Sequence, residues 1–459
     1  MRMRRLSVVD EIFLRTHQGL GTPIALQGLW RTAGAVEPEV LARLHEELRT
    51  GPLARRVVRP RVPGARARWQ RNDRAHPLDR HRVELAPADI PRWADTCGAE
   101  LDPEHGPGWR LSAAPLTDGG TIVALTCSHV LADARGLVLA VERALEAMDA
   151  GRADLSPGRP GEEGSAAGDG PDSDWLDAAR TWATVGLGGM RAAATLIVRG
   201  SRGPRSGQAA AGREGTAPGT GDTPHTARLS HRDLSGLAET SALAVLNEPA
   251  LILRCPAADW EAVAARYGGT ANSLFIWVVA NMLWAAGFAG TEIVASLPVD
   301  TRDEPRIDND LAVTEIAVAR GDGPADIRAK SRAAYERRMS APGGLPEEFL
   351  YLVPDKVAHL LSRGAGERDI LCSNIGPIPP ALSALGPYEC TGIATRAVHP
   401  GLDYARRPRT RLSGYLCRFR DDYILTVASL YPERAADAAA LHRLVTATAA
   451  RVDLPVRPW

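Results

Sequence analysis

Neither sign of charge dominates this chain: Lys plus Arg number 55 and Asp plus Glu number 55 across 459 residues. A balanced chain sets up no overall field for a polyanion, and aromatic residues at 5% offer little base-stacking surface, which argues against nucleic acid as a partner. Cysteine is sparse as well. Cys97, Cys127, Cys255, Cys372, Cys390 and Cys417 are scattered with no Cys-x-x-Cys pair, a pattern that predicts neither a zinc site nor a disulfide framework and fits a reducing cytoplasm. The basic start, Met1 to Arg5, leads into Asp10 and Glu11 rather than into an apolar core with a small-residue cleavage site, so no secretion signal is expected. The longest apolar run, Ser273 to Gly290, contains Asn281 and falls short of the ~20 apolar residues of a membrane span; it reads as a core helix. A Gly-x-Ser-x-Gly elbow and a Gly-x-x-x-x-Gly-Lys-Ser/Thr loop are missing, and Gly186-Leu187-Gly188-Gly189 lacks the strand and spacing of a dinucleotide site. Hydrolase, NTPase and dehydrogenase readings lose their support.

What is present is a His-x-x-x-Asp-x-x-Gly cluster, Ser128-His129 through Asp133 to Gly136, where a strand gives way to a helix. Thr121 to Cys127 is short and β-branched, which suits a buried strand, and Leu137, Leu139, Ala140, Ala144, Leu145 and Met148 recur at helical spacing. His129 therefore sits at a strand end, from which a rigid element can aim it into a cleft. An imidazole titrates near neutrality, so it can accept a proton in one step and return it later. Asp133 either orients that ring or braces the loop; the spacing leaves both open.

At more than twice the usual domain size, the chain has room for two α/β halves sharing one cleft. The first half, residues 1–174, opens with a helix from Asp10 to His17, a strand from Ile24 to Trp30 and a helix from Glu37 to Arg49 striped by Val40, Leu41, Leu44 and Leu48. Residues 175–228 form a crossover. Trp175 to Val198 predicts a helix packed through Leu176, Ala179, Trp182 and Leu187, with membrane contact at most peripheral, and the Gly/Pro/Ser-rich stretches Ala150–Ser173 and Gly200–Thr226 read as loop or linker. In residues 229–459 a helix from Asp259 to Tyr267, the apolar helix to Gly287, strands Glu292–Leu297 and Asn309–Val318, a hairpin of Leu412–Phe419 with Tyr423–Leu430, and a closing helix Arg434–Arg451 alternate in the α/β manner. Asp308-Asn309-Asp310 reads as a turn, with no further carboxylates to complete a cation shell; no metal is expected. Arginines crowd Arg49 to Arg82 with few acids. Arg55, Arg56, Arg59 and Arg61 are either a solvated face or a docking patch for a phosphate-bearing donor.

These segments, in this order, resemble the CoA-dependent acyltransferase superfamily, which includes chloramphenicol acetyltransferase-like enzymes, condensation domains of nonribosomal peptide synthetases, polyketide-associated acyltransferases and wax ester synthases. Ser128 to Gly136 resembles its His-His-x-x-x-Asp-Gly motif, and Leu6 to Leu14 resembles the opening of the wax ester synthase branch. Gly268 to Leu274 with the helix after it resembles the central helix behind the second half. Ser296 to Arg302 is similar to the strand carrying a structural arginine, and Cys372 to Pro379 to a Ser-Asn-x-x-Gly-type strand near the channel. Ser128 stands where many relatives have a first His, and Ala134-Arg135 precede Gly136 where relatives usually have Gly directly after Asp.

The resemblance implies a mixed α/β fold of two chloramphenicol acetyltransferase-like subdomains around a shared cleft or tunnel. It implies an acyltransferase that moves an acyl group from an acyl-CoA or acyl-carrier-protein thioester to a hydroxyl or amine of a small acceptor, in lipid or natural-product tailoring. His129 would act as general base within a ternary complex, Asp133 would pair with Arg302 with Gly136 supporting the loop, and Ser128, Ser373 and Asn374 are candidate oxyanion or channel residues. No resident cofactor is implied beyond the thioester co-substrate. The alternatives are a condensation-type enzyme using carrier-bound substrates to make an amide or ester, and a catalytically silent binding member of the fold.

Overall fold

The computed structural model describes residues 5–18, 22–153, 173–184, 248–337, 368–402, 407–431 and 433–459. Most of the two stretches expected as linker fall outside the described residues, as does the chain from 185 to 198 of the expected crossover helix.

The chain begins with α1 (Val8–Gln18), β1 (Ala25–Thr32), α2 (Pro38–Thr50), β2 (Arg55–Val58), β3 (Arg68–Arg71), β4 (Asp79–Arg80), α3 (Ile90–Thr96), β5 (Trp109–Pro115), β6 (Thr121–Ser128) and α4 (Ala134–Ala153). Residues 174–184 form α5. Then come β7 (Ala250–Pro256), α6 (Ala257–Arg266), α7 (Ala271–Ala285), β8 (Glu292–Asp300), β9 (Leu311–Ala319), α8 (Pro324–Arg337), β10 (Ile370–Pro377), β11 (Ala384–Leu385), β12 (Tyr388–Val398), β13 (Leu412–Phe419), β14 (Asp422–Ser429), α9 (Ala438–Ala450) and β15 (Arg457–Pro458). The architecture is mixed α/β, built on two large sheets.

One sheet has the order β11-β12-β1-β6-β5-β4, the other β15-β7-β14-β13-β10-β8-β9. The first contains an exchange not read from the sequence: β12, from the late part of the chain, pairs antiparallel along β1 from Ala25↔Val398 to Thr32↔Cys390. Glycine permits its packing, because a Cβ on Gly392 would lie 2.3 Å from the Trp459 indole nitrogen. β6 is buried at every position, as a β-branched strand covered on both faces must be.

Local chemistry explains the helices. Pro38 starts α2 at a position that needs no N–H donor, and Val40, Leu41, Leu44 and Leu48 are its buried stripe. In α7, Thr270 and Ser273 form a reciprocal cap, and Ser273 through Trp284 are all buried. It is therefore a core helix, apolar all round, lying so close to β13 that a Cβ on Gly414 would come within 2.7 Å of Val279. Among the described residues no helix is long and apolar enough to cross a membrane.

Two expectations are corrected here. β9 begins at Leu311 rather than Asn309, because Asp308, Asn309 and Asp310 are drawn into a loop with partners across the molecule. α5 packs the other way round from the expected crossover helix. Trp175, Leu176 and Trp182 are exposed while Asp177, Ala178 and Thr181 are buried, since Asp174 pairs with Arg5 at 2.7 Å and Asp177 with Arg66 at 2.7 Å.

Candidate active site

β6 ends at Ser128 and α4 begins at Ala134, so His129 to Asp133 form the crossing between a fully buried strand and a long helix. The His129 amide donates to Ile24 O at 2.9 Å and Leu131 N to Ser128 O at 2.9 Å, which fixes the loop's backbone. The His129 ring stacks on Phe13 of α1 with centroids 3.7 Å apart and planes 15° apart. Its Nδ1 lies 3.1 Å from Asn309 Oδ1.

The chemistry of Asn309 decides the tautomer. Its Nδ2 donates toward Asp10 Oδ1 at 2.9 Å, His129 O at 3.0 Å and Val130 O at 3.1 Å. A flipped amide would set its oxygen against those acceptors, so Oδ1 must face the ring and accept. Nδ1 therefore carries the ring proton, and Nε2 is left with a free lone pair. Burial holds this ring below the ordinary histidine range, against the opposing pull of Asp133 and the Asn309 hydrogen bond. At neutral pH the ring is uncharged and can take up a proton.

Asp133 braces the loop rather than the ring. Its Oδ1 accepts from Arg302 at 2.6 Å and from the Gly136 amide at 2.8 Å, while Oδ2 accepts from the Asp310 amide at 2.9 Å. The Gly136 contact caps the first turn of α4. Both charged side chains of the Asp133–Arg302 pair are about 5% exposed or less. Gly136 is needed for a second reason: a Cβ there would lie 2.3 Å from Ile307 O, so the loop between β8 and β9 can press against the start of α4 only if that position has no side chain.

The arginine cluster divides. Arg55 is buried, ion-paired to Asp308, donating to Leu131 O, and stacked over Trp69 at 4.0 Å. It is a bracket inside the site and not a surface docking residue, because Asp308 gives its guanidinium a buried partner. Arg56 bonds Gln70 and Arg59 pairs with Glu104 at 2.7 Å. Arg61 is exposed. The other expected polar groups have separate settings. Ser128 is buried and lines a cavity of about 200 Å³ with His17, Pro23, Gly98, Leu101 and Pro400. Asn374 donates to Asn272 at 3.0 Å, and neither it nor Ser373 has a hydrogen bond to the His129 loop among the described residues.

Asn309, Asp10 and Phe13 were missed as site residues. Their signals were indirect: if Arg302 reaches Asp133, the loop that follows it, with Asn309, must reach the motif too, and Asp10 and Phe13 lie in the opening segment Leu6 to Leu14 that carried part of the resemblance. Cys127, beside the motif, offers no alternative chemistry, since burial pushes its thiol up to about 12 and keeps it protonated. All six cysteines are free and buried.

No family model matches the chain, and no curated protein matches it. Solved structures do. The first condensation domain of the CDA synthetase superposes with a TM-score of 0.58 at 16% identity, over 100% of this chain and 98% of that one. This is the fold of the condensation domains. The epimerization domain from the third module of tyrocidine synthetase B matches with a TM-score of 0.50 at 12% identity, over 98% of both chains. Polyketide synthase associated protein 5 from Mycobacterium tuberculosis gives 0.51 at 12% identity, over 97% of both. The chain thus has the chloramphenicol acetyltransferase-like architecture of two subdomains, and the condensation-domain frame runs along its whole length, with the His129 loop after β6 of one sheet meeting the loop between β8 and β9 of the other.

Proposed function

We propose that this protein is a condensation-type acyltransferase, transferring an acyl group from a thioester on a carrier protein to an amine or hydroxyl acceptor. The observation that carries the reading is the His129 ring, held at Nδ1 by Asn309 with Nε2 free. As the acceptor attacks the thioester carbonyl, Nε2 takes its proton; as the tetrahedral intermediate collapses and the carbon–sulfur bond breaks, the imidazolium returns that proton to the thiolate. Holding donor and acceptor in one cleft replaces a bimolecular encounter, which accounts for much of the rate. A polar donor near the carbonyl would stabilise the oxyanion, the role expected of Ser128, Ser373 or Asn374.

The likeness to condensation and epimerization domains favours a carrier-borne donor over free acyl-CoA, and the intact His129, Asp133 and Arg302 geometry favours an enzyme over a silent binding member. The test presents the same acyl group on phosphopantetheinylated carrier protein and on CoA, with pooled amine and alcohol acceptors, and follows products by mass spectrometry. Product from the carrier-borne donor at the higher kcat/KM supports the reading. Turnover from acyl-CoA at equal or higher kcat/KM overturns the carrier assignment and leaves a CoA-dependent transferase.

A further inference from the structure

Asn309 does not stand alone. Its backbone N donates to Asp10 Oδ1 at 3.1 Å and its side-chain Nδ2 donates to the same oxygen at 2.9 Å. The other carboxylate oxygen of Asp10 accepts the Ser7 amide at 2.9 Å, while the Asp10 amide donates to Ser7 Oγ at 3.0 Å. Asp10 is 1% exposed. Burial pushes the Asp10 carboxyl above its ordinary range, while Arg55 and the Ser7 and Asn309 hydrogen bonds pull it back toward the charged form that N–H donors on both oxygens fit.

α1 brings a second element to the same ring. Asp10 and Phe13 are three residues apart on one helix and so share a face. Phe13 covers the plane of the His129 ring, while Asp10 holds the amide that grips its edge. Arg302 faces Asp133 and Arg55 faces Asp308, whereas Asp10 has no ion pair among the described residues. Arg55 and Asp308 act on Asp10 only through space, in opposite directions.

We infer that Asp10 is a positioning residue for His129: through Asn309 it fixes the Nδ1–H tautomer, and its carboxylate, one amide away from the ring, favours the imidazolium that forms when Nε2 takes the acceptor's proton. The inference rests on the general-base reading of His129. An ionised Asp10 can only accept, so Asn309 must turn its NH2 group toward it and its oxygen toward the ring. The amide also separates the ring from the carboxylate. With no path for direct proton transfer to Asp10, the imidazolium keeps its proton until the leaving thiolate needs it. The charge interaction appears only once the ring is protonated, so it acts on the transition state more than on bound substrate.

The test is Asp10→Asn, which keeps the shape of the side chain and an acceptor oxygen but removes the charge. Expected results are a kcat lower by about tenfold or more with KM nearly unchanged, and a His129 titration, followed by NMR of 15N-labelled histidine against a His129→Ala spectrum, displaced to lower pH by about half a unit or more. The groups facing the ring, Asp133 and Asn309, are untouched, as are Arg55 and Asp308 beside Asp10. A folded Asp10→Asn protein with an unchanged His129 titration overturns the inference, even if the protein catalyses no acyl transfer. Wild-type protein answers independently of any variant: 15N shifts showing His129 protonated at Nε2 rather than Nδ1 overturn it as well.

Discussion

Removing Asp133 tests the joint that holds the His129 loop to the second sheet. In the wild type, its carboxylate is 4% exposed and receives Arg302, the Gly136 amide and the Asp310 amide. Asp133→Ala leaves the Arg302 guanidinium buried, facing Asp300 at 2.7 Å and the carbonyls of Arg306 and Asp308. Breaking one side of a buried pair costs about 3 to 5 kcal/mol, and the remaining acceptors around Arg302 place this case near the lower end. Unfolding entropy of about 2.1 cal/mol/K per residue, summed over the chain, makes that a fall in Tm of about 3 °C if the whole molecule melts together, and about twice that if only one half does. Differential scanning calorimetry of wild type, Asp133→Ala, Arg302→Ala and the double variant reads it. The double variant should lose clearly less than the two singles combined, because the contact that each single breaks is the same one. A Tm for Asp133→Ala equal to that of wild type, or strict additivity, refutes the joint.

Asn309→Ala should lower kcat by about tenfold or more with little change in KM, since it frees the ring's tautomer without touching Nε2; equal pH–rate profiles for variant and wild type would contradict this. Gly136→Ala should lower both Tm and turnover, because the added Cβ meets Ile307 O at 2.3 Å and that oxygen belongs to backbone; an unchanged Tm would mean that the β8–β9 loop yields freely. Arg55→Ala should destabilise the fold by removing the buried ion pair to Asp308, whereas Arg61→Ala should leave Tm within the measurement error; calorimetry on the two variants separates bracket from surface. His129 has a folded pKa below its unfolded value, so its contribution to stability is present above about pH 6.5 and is lost as pH falls through the folded pKa. Wild type should therefore lose more stability than His129→Gln between pH 7 and pH 5, and parallel curves would count against a buried neutral ring.

The parts legible in the sequence were those whose cause is local. Periodicity placed Val40, Leu41, Leu44 and Leu48 on the buried side of α2, and the run from Thr121 marked β6 because a strand buried on both faces has to be apolar throughout. The Asp133–Arg302 contact came from resemblance, and the structure sets the pair at 2.6 Å. Asn309 was hidden because its meaning is nonlocal. It bonds a histidine 180 positions away and an aspartate 299 positions away, whereas its flanking acids read locally as a turn. Arg55 was misread for the same reason: a run of arginines does not disclose which of them has a buried carboxylate partner 253 positions on. The outward apolar side of α5 inverted the usual amphipathic rule, since the acids Asp174 and Asp177 found arginines on the protein and drew the polar side inward.

The most direct test of the central claim is single-turnover kinetics of His129→Ala with a carrier-borne acyl donor, alongside a melting curve for the same preparation. Nothing but the ring is removed. The account predicts a folded protein with a Tm close to that of wild type and a transfer rate lower by ~10²- to 10⁴-fold, the usual cost of losing a general base. A folded His129→Ala variant that transfers the acyl group at the wild-type rate would contradict it.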